Sequence, residues 1–182
     1  MRKKYTVIFL ISTLIFALAA CSNSNRNTEN DSGNNIVNDK VEDNTKEIVL
    51  YFVNAEYVKT GDESLEHLIP KKRIIEYEDM SLEEAIVREL MQDPGDEELS
   101  TEIPKTVELL GVEVSDGVAY VDFAKEGLFG GSMQESFTIS QIVNSLTELD
   151  NIDKVQFLVE GEKTESLMGH FDAGEPFERI ED

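Results

Sequence analysis

The hydrophobic and polar positions in the larger, C-terminal part of the chain follow the spacing of strands and helices in turn. Residues 48–53 form a continuous run of aliphatic and aromatic side chains, which is typical of a buried strand. A second strand is predicted at residues 73–77, shortly after Pro70. The segment between them, residues 54–66, is polar and contains Gly61, so we predict a loop.

The first helix is predicted to begin at Ser81. Ser81 and Glu84 match a capping box, in which each side chain bonds the other residue's backbone N–H. Apolar side chains then recur at helical spacing over residues 82–90 and form one face. Asp-Pro-Gly at residues 93–95 indicates the helix end, and the acidic residues 96–102 are predicted to be a loop.

A hairpin is predicted next. Residues 106–114 form a strand with a bend at Gly111, and Ser-Asp-Gly at 115–117 predicts a tight turn because Asp-Gly readily adopts positive φ angles. The partner strand at residues 118–123 alternates between two faces. The face expected to pack on helices carries Ala119, Val121 and Phe123, and the opposite face carries Val118, Tyr120 and Asp122.

The longest helix is predicted after Gly130-Gly131. Ser132 and Glu135 match a second capping box, and the helix is expected to end near Asp150. Its apolar stripe consists of Met133, Phe137, Ile139, Ile142, Val143, Leu146 and Leu149.

Two last strands complete the pattern, one at residues 154–159 and a short edge at residues 166–168. The order β-β-α-β-β-α-β favours an α+β fold. We expect a two-layer sandwich in which two helices pack on a mixed, largely antiparallel sheet of about four to five strands.

The N-terminus carries the pattern of a lipoprotein signal. Basic residues 2–4 precede an apolar stretch at residues 7–20, which is shorter than the roughly 20 residues of a transmembrane helix. Leu-Ala-Ala-Cys at 18–21 resembles the bacterial lipobox, whose cysteine receives a diacylglycerol. We therefore predict a signal peptide at residues 1–20 and a lipid on Cys21 that holds the protein at the extracytoplasmic face of the cell membrane. The alternative is an uncleaved anchor.

Residues 21–46 are predicted to be the lipidated cysteine and a disordered linker. Residues 22–46 hold eight asparagines and three large apolar side chains, which bury too little surface to offset the entropy of ordering. The folded domain is predicted to span residues 47–182.

Charge and cysteine content exclude several classes of function. The chain has 38 acidic and 16 basic residues, a formal net charge of −22. Nucleic acid is not an expected partner, because the chain lacks the cations that replace the counterions of a phosphate backbone. Cys21 is the only cysteine, which excludes a disulfide framework or a multi-cysteine metal site.

Several stretches of the predicted domain have a recognisable order and spacing: residues 51–53 with 68–70, 84–90, 100–104, 109–112, 116–123, 141–148 and 155–161. Together they resemble the GerMN domain, a family of secreted or lipid-anchored domains of bacterial envelopes. The best match covers residues 82–170. Thr106 and Asp93-Pro94 depart from the family pattern, and both departures concern a loop.

The resemblance implies a fold similar to the ring-building motifs of secretion systems, and a link to sporulation or germination. It provides no catalytic residue, metal or cofactor. Gln141, Asn144 and Thr147 match the family on the polar side of the long helix. With Asp122, on the non-core face of its strand, they form the candidate interaction face. The alternative roles are hydrogen bonds to a loop or simple solvation.

Other chemistry has weaker support. His67 and His170 stand alone, which is typical of surface or capping histidines. Ser132 is either a nucleophile-like residue at a helix start or part of the helix cap. The acidic residues 93–98 lack the alternating ligands of an EF-hand loop, so a solvated loop is expected instead of a calcium site.

Three functions remain open at this stage. The first is a non-catalytic interaction domain that assists assembly or stability of a cell-envelope complex through an envelope protein partner. The second is a module that binds a small ligand or the peptidoglycan cell wall. The third is an enzyme such as a hydrolase, which needs a nucleophile with a base beside it.

Overall fold

The structure is a computed structural model that describes residues 44–181. The predicted signal peptide, the lipid site at Cys21 and residues 21–43 of the predicted linker lie outside the described residues. The described elements are β1 (Thr45–Asn54), α1 (Ala55–Thr60), β2 (Leu68–Glu76), α2 (Leu82–Leu90), β3 (Leu99–Ser100), β4 (Leu109–Ser115), β5 (Val118–Phe123), α3 (Ser132–Leu146), β6 (Lys154–Val159) and β7 (Glu162–Lys163).

The first sheet is antiparallel and has the strand order β2-β1-β3. The predicted apolar run lies at its centre, and alternate side chains Ile48, Leu50 and Phe52 are buried. β1 begins at Thr45, two residues before the predicted domain start, because Thr45 pairs with Glu76 of β2.

The second sheet is mixed and has the strand order β4-β5-β6-β7. The predicted Asp116-Gly117 turn joins β4 to β5, with φ angles of 52° and 78°. A shift of register between Leu109 and Gly111 is the predicted bend. β5 and β6 run parallel because α3 forms the crossover between them.

The α+β class is confirmed, but within residues 44–181 the predicted single sheet of about four to five strands with two helices is replaced by two sheets with three helices packed on them. The predicted loop after β1 contains α1, whose start is capped by the Asn54 side chain. β3 lies in the predicted acidic loop, and residues 166–168 form no strand. α1 and β3 are too short to give a periodic pattern in the sequence.

The predicted start of α2 is confirmed in one half of its capping box. The Ser81 hydroxyl accepts a hydrogen bond from the Glu84 N–H at 3.1 Å. The Glu84 carboxylate instead pairs with Arg88 one turn later, at 2.6 Å. Ser81 is therefore the residue that caps α2.

The second predicted capping box is wrong. Gly131 is the N-cap of α3, no side chain caps that end, and Ser132 is already helical. The reason is that Glu135 is fully buried and its carboxylate binds another segment of the chain. Met133, predicted on the apolar stripe, is 48% exposed, and α3 ends at Leu146.

One hydrophobic core joins both sheets. α3 contacts β1, α2 and β6, and α2 contacts β1, β2 and β4. Within the described part of the chain, no helix is long and apolar enough to cross a membrane. The largest fully buried apolar side chains include Phe52, Phe123, Phe157, Ile86 and Leu146.

Candidate functional site

The predicted interaction face is not an exposed surface on α3. Gln141 is 0% exposed, and its Oε1 accepts a hydrogen bond from the Glu102 N–H at 2.9 Å. Asn144 is 4% exposed and bonds both the N–H and the C=O of Ile180, each at 2.9 Å. Both side chains are therefore buried, and of the two roles left open by the sequence, hydrogen bonding to a loop is the one observed.

The other two predicted residues lie apart from them. The Thr147 hydroxyl donates a hydrogen bond to the Val143 carbonyl of its own helix at 2.8 Å. Asp122 lies on β5, on the face opposite the buried Val121, and accepts a hydrogen bond from the Gly161 N–H at 3.0 Å. The structure therefore does not bring the four residues onto one face.

The polar side of α3 is buried because irregular segments cover it. Thr138 and Gln134 both donate side-chain hydrogen bonds to the Glu102 carbonyl, at 2.9 and 3.1 Å. On another side, the Ser145 hydroxyl accepts a hydrogen bond from the Tyr51 N–H of β1 at 2.9 Å. Buried polar groups need such partners. The polar residues of α3 therefore hold the chain together around the helix.

Among these buried polar residues of α3, Glu135 carries a carboxylate, which needs several hydrogen-bond donors when it is buried. Its carboxylate accepts hydrogen bonds from the Ser166 hydroxyl at 2.6 Å and from the Met168 and His170 N–H groups at 2.8 Å. Burial alone raises the pKa of Glu135, but these bonds and one from the Phe171 N–H together lower its pKa below the usual value. An ionised Glu135 thus fixes residues 166–171 against the start of α3.

A cleft with aromatic walls opens beside this end of α3. Its volume is about 280 Å³. The Tyr57 and His67 rings are 4.2 Å apart, and the Phe137 ring meets Tyr57 edge-on at 5.8 Å. We call it the aromatic cleft, and its lining is Tyr57, His67, Ser132, Met133, Ser136, Phe137 and Phe171.

Large apolar side chains at the start of α3 face solvent. Phe129 is 68% exposed, Met133 48% and Phe171 41%. The loop that carries Phe129 and the segment that carries Phe171 are joined by a 3.2 Å contact between His170 Nε2 and the Gly130 carbonyl. Met133 and Phe171 line the same cleft, and apolar side chains that are exposed together are typical of a surface that binds another molecule.

The rim of the aromatic cleft is acidic. The Glu63 carboxylate accepts a hydrogen bond from the Tyr57 hydroxyl at 3.2 Å and lies 3.5 Å from His67 Nε2. Desolvation, followed by the charge and hydrogen bond of Glu63, raises the pKa of Tyr57. The segments that form the cleft and its rim, residues 55–67, 124–133 and 165–175, hold eight carboxylates and two lysines.

The structure also locates the residues considered for chemistry. Both histidines border the start of α3, one in the aromatic cleft and one against Gly130. In the acidic loop, the carboxylates of Asp93 and Asp96 accept hydrogen bonds from nearby backbone N–H groups. No group of three or more His, Cys, Asp or Glu residues within 44–181 is arranged to hold a metal ion.

A second open surface lies on the outer face of the mixed sheet. It is a shallow depression of about 250 Å³ between β4, β5 and β6, and Leu110 there is 46% exposed. Asp122 belongs to this surface.

Sequence reasoning considered His67, Ser132, Met133 and Phe137 separately, but it missed the aromatic residues Tyr57 and Phe171 of the same cleft and the exposed Phe129. Tyr57 stands in a segment predicted as a polar loop, and Phe129 stands directly before two glycines. An aromatic residue in an otherwise polar or glycine-rich segment is the signal that singles them out. Nothing local to the sequence shows that Tyr57 and Phe171 line the same cleft.

Comparison with protein families decides the identity of the domain. The sequence model of the family Germane, described as "Sporulation and spore germination", matches residues 49–165. The chain belongs to the Germane family. The predicted relation to the GerMN domain is thereby confirmed. The match ends before Glu135's partners at 166–171, so the segment that Glu135 holds lies beyond the part of the chain that defines the Germane domain.

Solved structures show that the Germane domain of this chain has the GerMN fold. One is the tandem GerMN domains of the sporulation protein GerM from Bacillus subtilis, with a TM-score of 0.59 and 23% identity over 75% of this chain and 46% of that one. This chain therefore spans less than half of the tandem structure. The first GerMN domain of the same protein also has a TM-score of 0.59, with 16% identity, and covers 74% of this chain and 98% of that one. Curated protein sequences give no significant match.

Proposed function

We propose that this Germane chain is a lipid-anchored, extracytoplasmic interaction module that assists the assembly or stability of a cell-envelope complex during sporulation or germination. Family membership supports the link to these processes. The finer role rests on the surface of the domain and on the pattern of the N-terminus.

The single observation that carries the interaction role is the aromatic cleft with its exposed neighbours. Phe129, Met133 and Phe171 present apolar surface to solvent on a chain with a net charge of −22. Contiguous exposed apolar groups with a polar rim are typical of a surface that binds another molecule. When a partner covers these side chains, their apolar surface is removed from water, and this burial stabilises the complex.

The anchor rests on the single cysteine. Cys21 follows Leu-Ala-Ala and an apolar stretch, the arrangement of a lipobox. A diacylglycerol supplies two acyl chains, which is enough for stable membrane attachment without a basic patch. With this anchor, the domain whose first strand begins at Thr45 is held close to the membrane surface, where envelope partners lie.

No catalytic step belongs to this proposal. The His67 ring packs against Tyr57 and Phe137, and the His170 ring contacts the Gly130 carbonyl. Both imidazoles therefore have structural contacts that account for their positions.

The test combines the anchor with the role in the envelope. Cells that produce the full chain are compared with cells that lack it and with a Cys21→Ser variant. We expect the full chain in the membrane fraction, the variant outside it, and the same one or few envelope proteins reduced in abundance in both mutant strains during sporulation. Unchanged envelope proteins in the strain without the chain would contradict the proposal.

Binding to the cell wall is the second candidate. Ser132 and Ser136 place hydroxyl groups beside the rings of the aromatic cleft, and a neutral glycan offers both apolar faces and hydroxyls to such a lining. Retention of the full chain on purified peptidoglycan, lost on Tyr57→Ala and retained on Ile74→Ala, would favour this candidate over a protein partner.

A further inference from the structure

We propose that the aromatic cleft binds a basic, amphipathic segment of a protein partner, with an apolar side chain in the cleft and a lysine or arginine against Glu63. This inference rests on the proposed interaction function and names the chemistry of the partner. It concerns the start of α3 and not the residues first predicted on that helix.

The apolar part of the partner follows from the shape of the surface. The cleft of about 280 Å³ is open, and the exposed Met133 and Phe171 belong to its lining. Phe129 directly precedes Gly130, whose carbonyl contacts the His170 ring, and 68% of the Phe129 surface is free. Binding free energy in protein interfaces concentrates in such aromatic side chains, which pack around an anchor on the partner. An amphipathic segment supplies an anchor of this kind.

The basic part follows from charge. Glu63 has a side chain that is 79% exposed, and it stands at the cleft beside His67 and Tyr57. The three surrounding segments carry eight carboxylates against two lysines. A cationic partner is attracted by this field, which raises its rate of association.

The same charge disfavours the other occupants of an apolar surface. A second copy of this chain brings its own acidic rim to the contact, so like charges meet. An anionic lipid surface is repelled for the same reason. The hydroxyls of a neutral glycan can donate hydrogen bonds to the Glu63 carboxylate, but a neutral glycan has no positive charge to pair with it. A cationic protein segment is the occupant that satisfies both the apolar lining and the acidic rim.

The experiment places a benzophenone amino acid at Met133 of the full, membrane-anchored chain in cells. Irradiation is followed by identification of the crosslinked peptides. Ile74 of β2, which is 71% exposed, and Leu110 of the mixed sheet provide matched probe positions on other surfaces. We expect Met133 to crosslink to a protein segment that combines apolar residues with lysine or arginine, and the two control positions not to.

Two variants test the assignment of the contacts. With the probe at Met133, Phe129→Ala should lower the yield of the crosslinked segment about tenfold, as truncation of an aromatic anchor does. Glu63→Gln should lower it about twofold to fivefold, the effect of an exposed ion pair. Both side chains are exposed, so neither change disturbs the core.

The outcomes separate this inference from the proposed function. If a protein partner crosslinks to the probe at Leu110 or Ile74 but not at Met133, the aromatic cleft is not the binding site, and the proposed interaction function still holds. Crosslinks from Met133 to lipid, to glycan, to a second copy or to an acidic segment overturn the inference. Loss of all protein crosslinks at the three positions overturns the inference and contradicts the proposed function as well.

Discussion

Replacement of Glu135 by glutamine tests whether the buried polar side of α3 organises the domain. The carboxylate is 0% exposed and accepts hydrogen bonds from Ser166, Met168 and His170 at 2.6–2.8 Å. An amide has the same shape but only one acceptor oxygen. Whichever way it turns, at least one buried donor of residues 166–171 faces an NH₂ group.

The size of the effect follows from these bonds. A buried donor left without an acceptor costs about 1–3 kcal/mol, and each bond to a charged acceptor contributes about 1.5–3 kcal/mol. Removing a buried charge offsets part of this loss, because its desolvation is no longer needed. We therefore expect Glu135→Gln to lower the free energy of unfolding by about 2–4 kcal/mol. The exposed Glu113→Gln is the matched control and should change it by less than about 0.5 kcal/mol.

The same variant predicts a change in pH dependence. Because folding lowers the pKa of Glu135, its contribution to stability is present above the ordinary glutamate value of 4.5 and is lost as pH falls through the lower pKa of the folded state. The wild-type protein should therefore lose more stability than Glu135→Gln below about pH 4.5.

Urea unfolding followed by far-ultraviolet circular dichroism measures both effects, and it suits a chain that has no tryptophan. Two results would refute the reasoning. One is a change below about 0.5 kcal/mol for Glu135→Gln at neutral pH, and the other is parallel pH profiles for the two proteins.

Three further substitutions test other contacts. Asn144→Ala removes both hydrogen bonds to Ile180, so the free energy of unfolding should fall by about 2 kcal/mol. Hydrogen exchange at the Ile180 amide should become faster, and an unchanged rate would count against this contact. Gly117→Ala should lower the melting temperature, because the new Cβ would lie 2.6 Å from the Asp153 carboxylate at a φ of +78° that alanine rarely adopts. An unchanged melting temperature would contradict this reasoning. Ser81→Ala should lower the free energy of unfolding in urea by about 1 kcal/mol, and no decrease would show that the Ser81 cap does not stabilise α2.

Local signals in the sequence predicted the parts of the fold that depend on neighbouring residues. The Ser81 cap, the Asp116-Gly117 turn and the strand at residues 118–123 are observed as predicted. Val121 and Phe123 are fully buried, as their alternation indicates. In each case a few adjacent residues determine the conformation, so the pattern is sufficient.

The start of α3 shows where local signals fail. Ser132 and Glu135 have the spacing of a capping box, yet Glu135 is bound to a segment that follows it by more than thirty residues, at Met168. Gln141 and Asn144 lie on the polar side of a helix, which normally faces water. They are buried because residues near Glu102 and Ile180 cover them, and no short-range pattern contains that information.

The candidate site could not be predicted from the sequence, because it also depends on contacts between residues that are far apart along the chain. Tyr57, Ser132 and Phe171 come from three distant segments and line one cleft only in the folded chain. The acidic character of the surface was visible from the net charge, but the position of Glu63 against Tyr57 and His67 was not. The family resemblance was visible because it depends on the order of motifs along the chain.

Quantitative crosslinking of the membrane-anchored chain in vegetative and sporulating cells tests the central claim most directly. The wild-type chain is compared with Phe129→Asp, which places a charge on the exposed loop that leads into the aromatic cleft at Ser132, and with Ile74→Asp, which places the same charge on β2. The account predicts an envelope protein that is enriched with the wild type and with Ile74→Asp and is lost with Phe129→Asp. Equal enrichment with all three chains, or no enriched protein in either growth state, would contradict it.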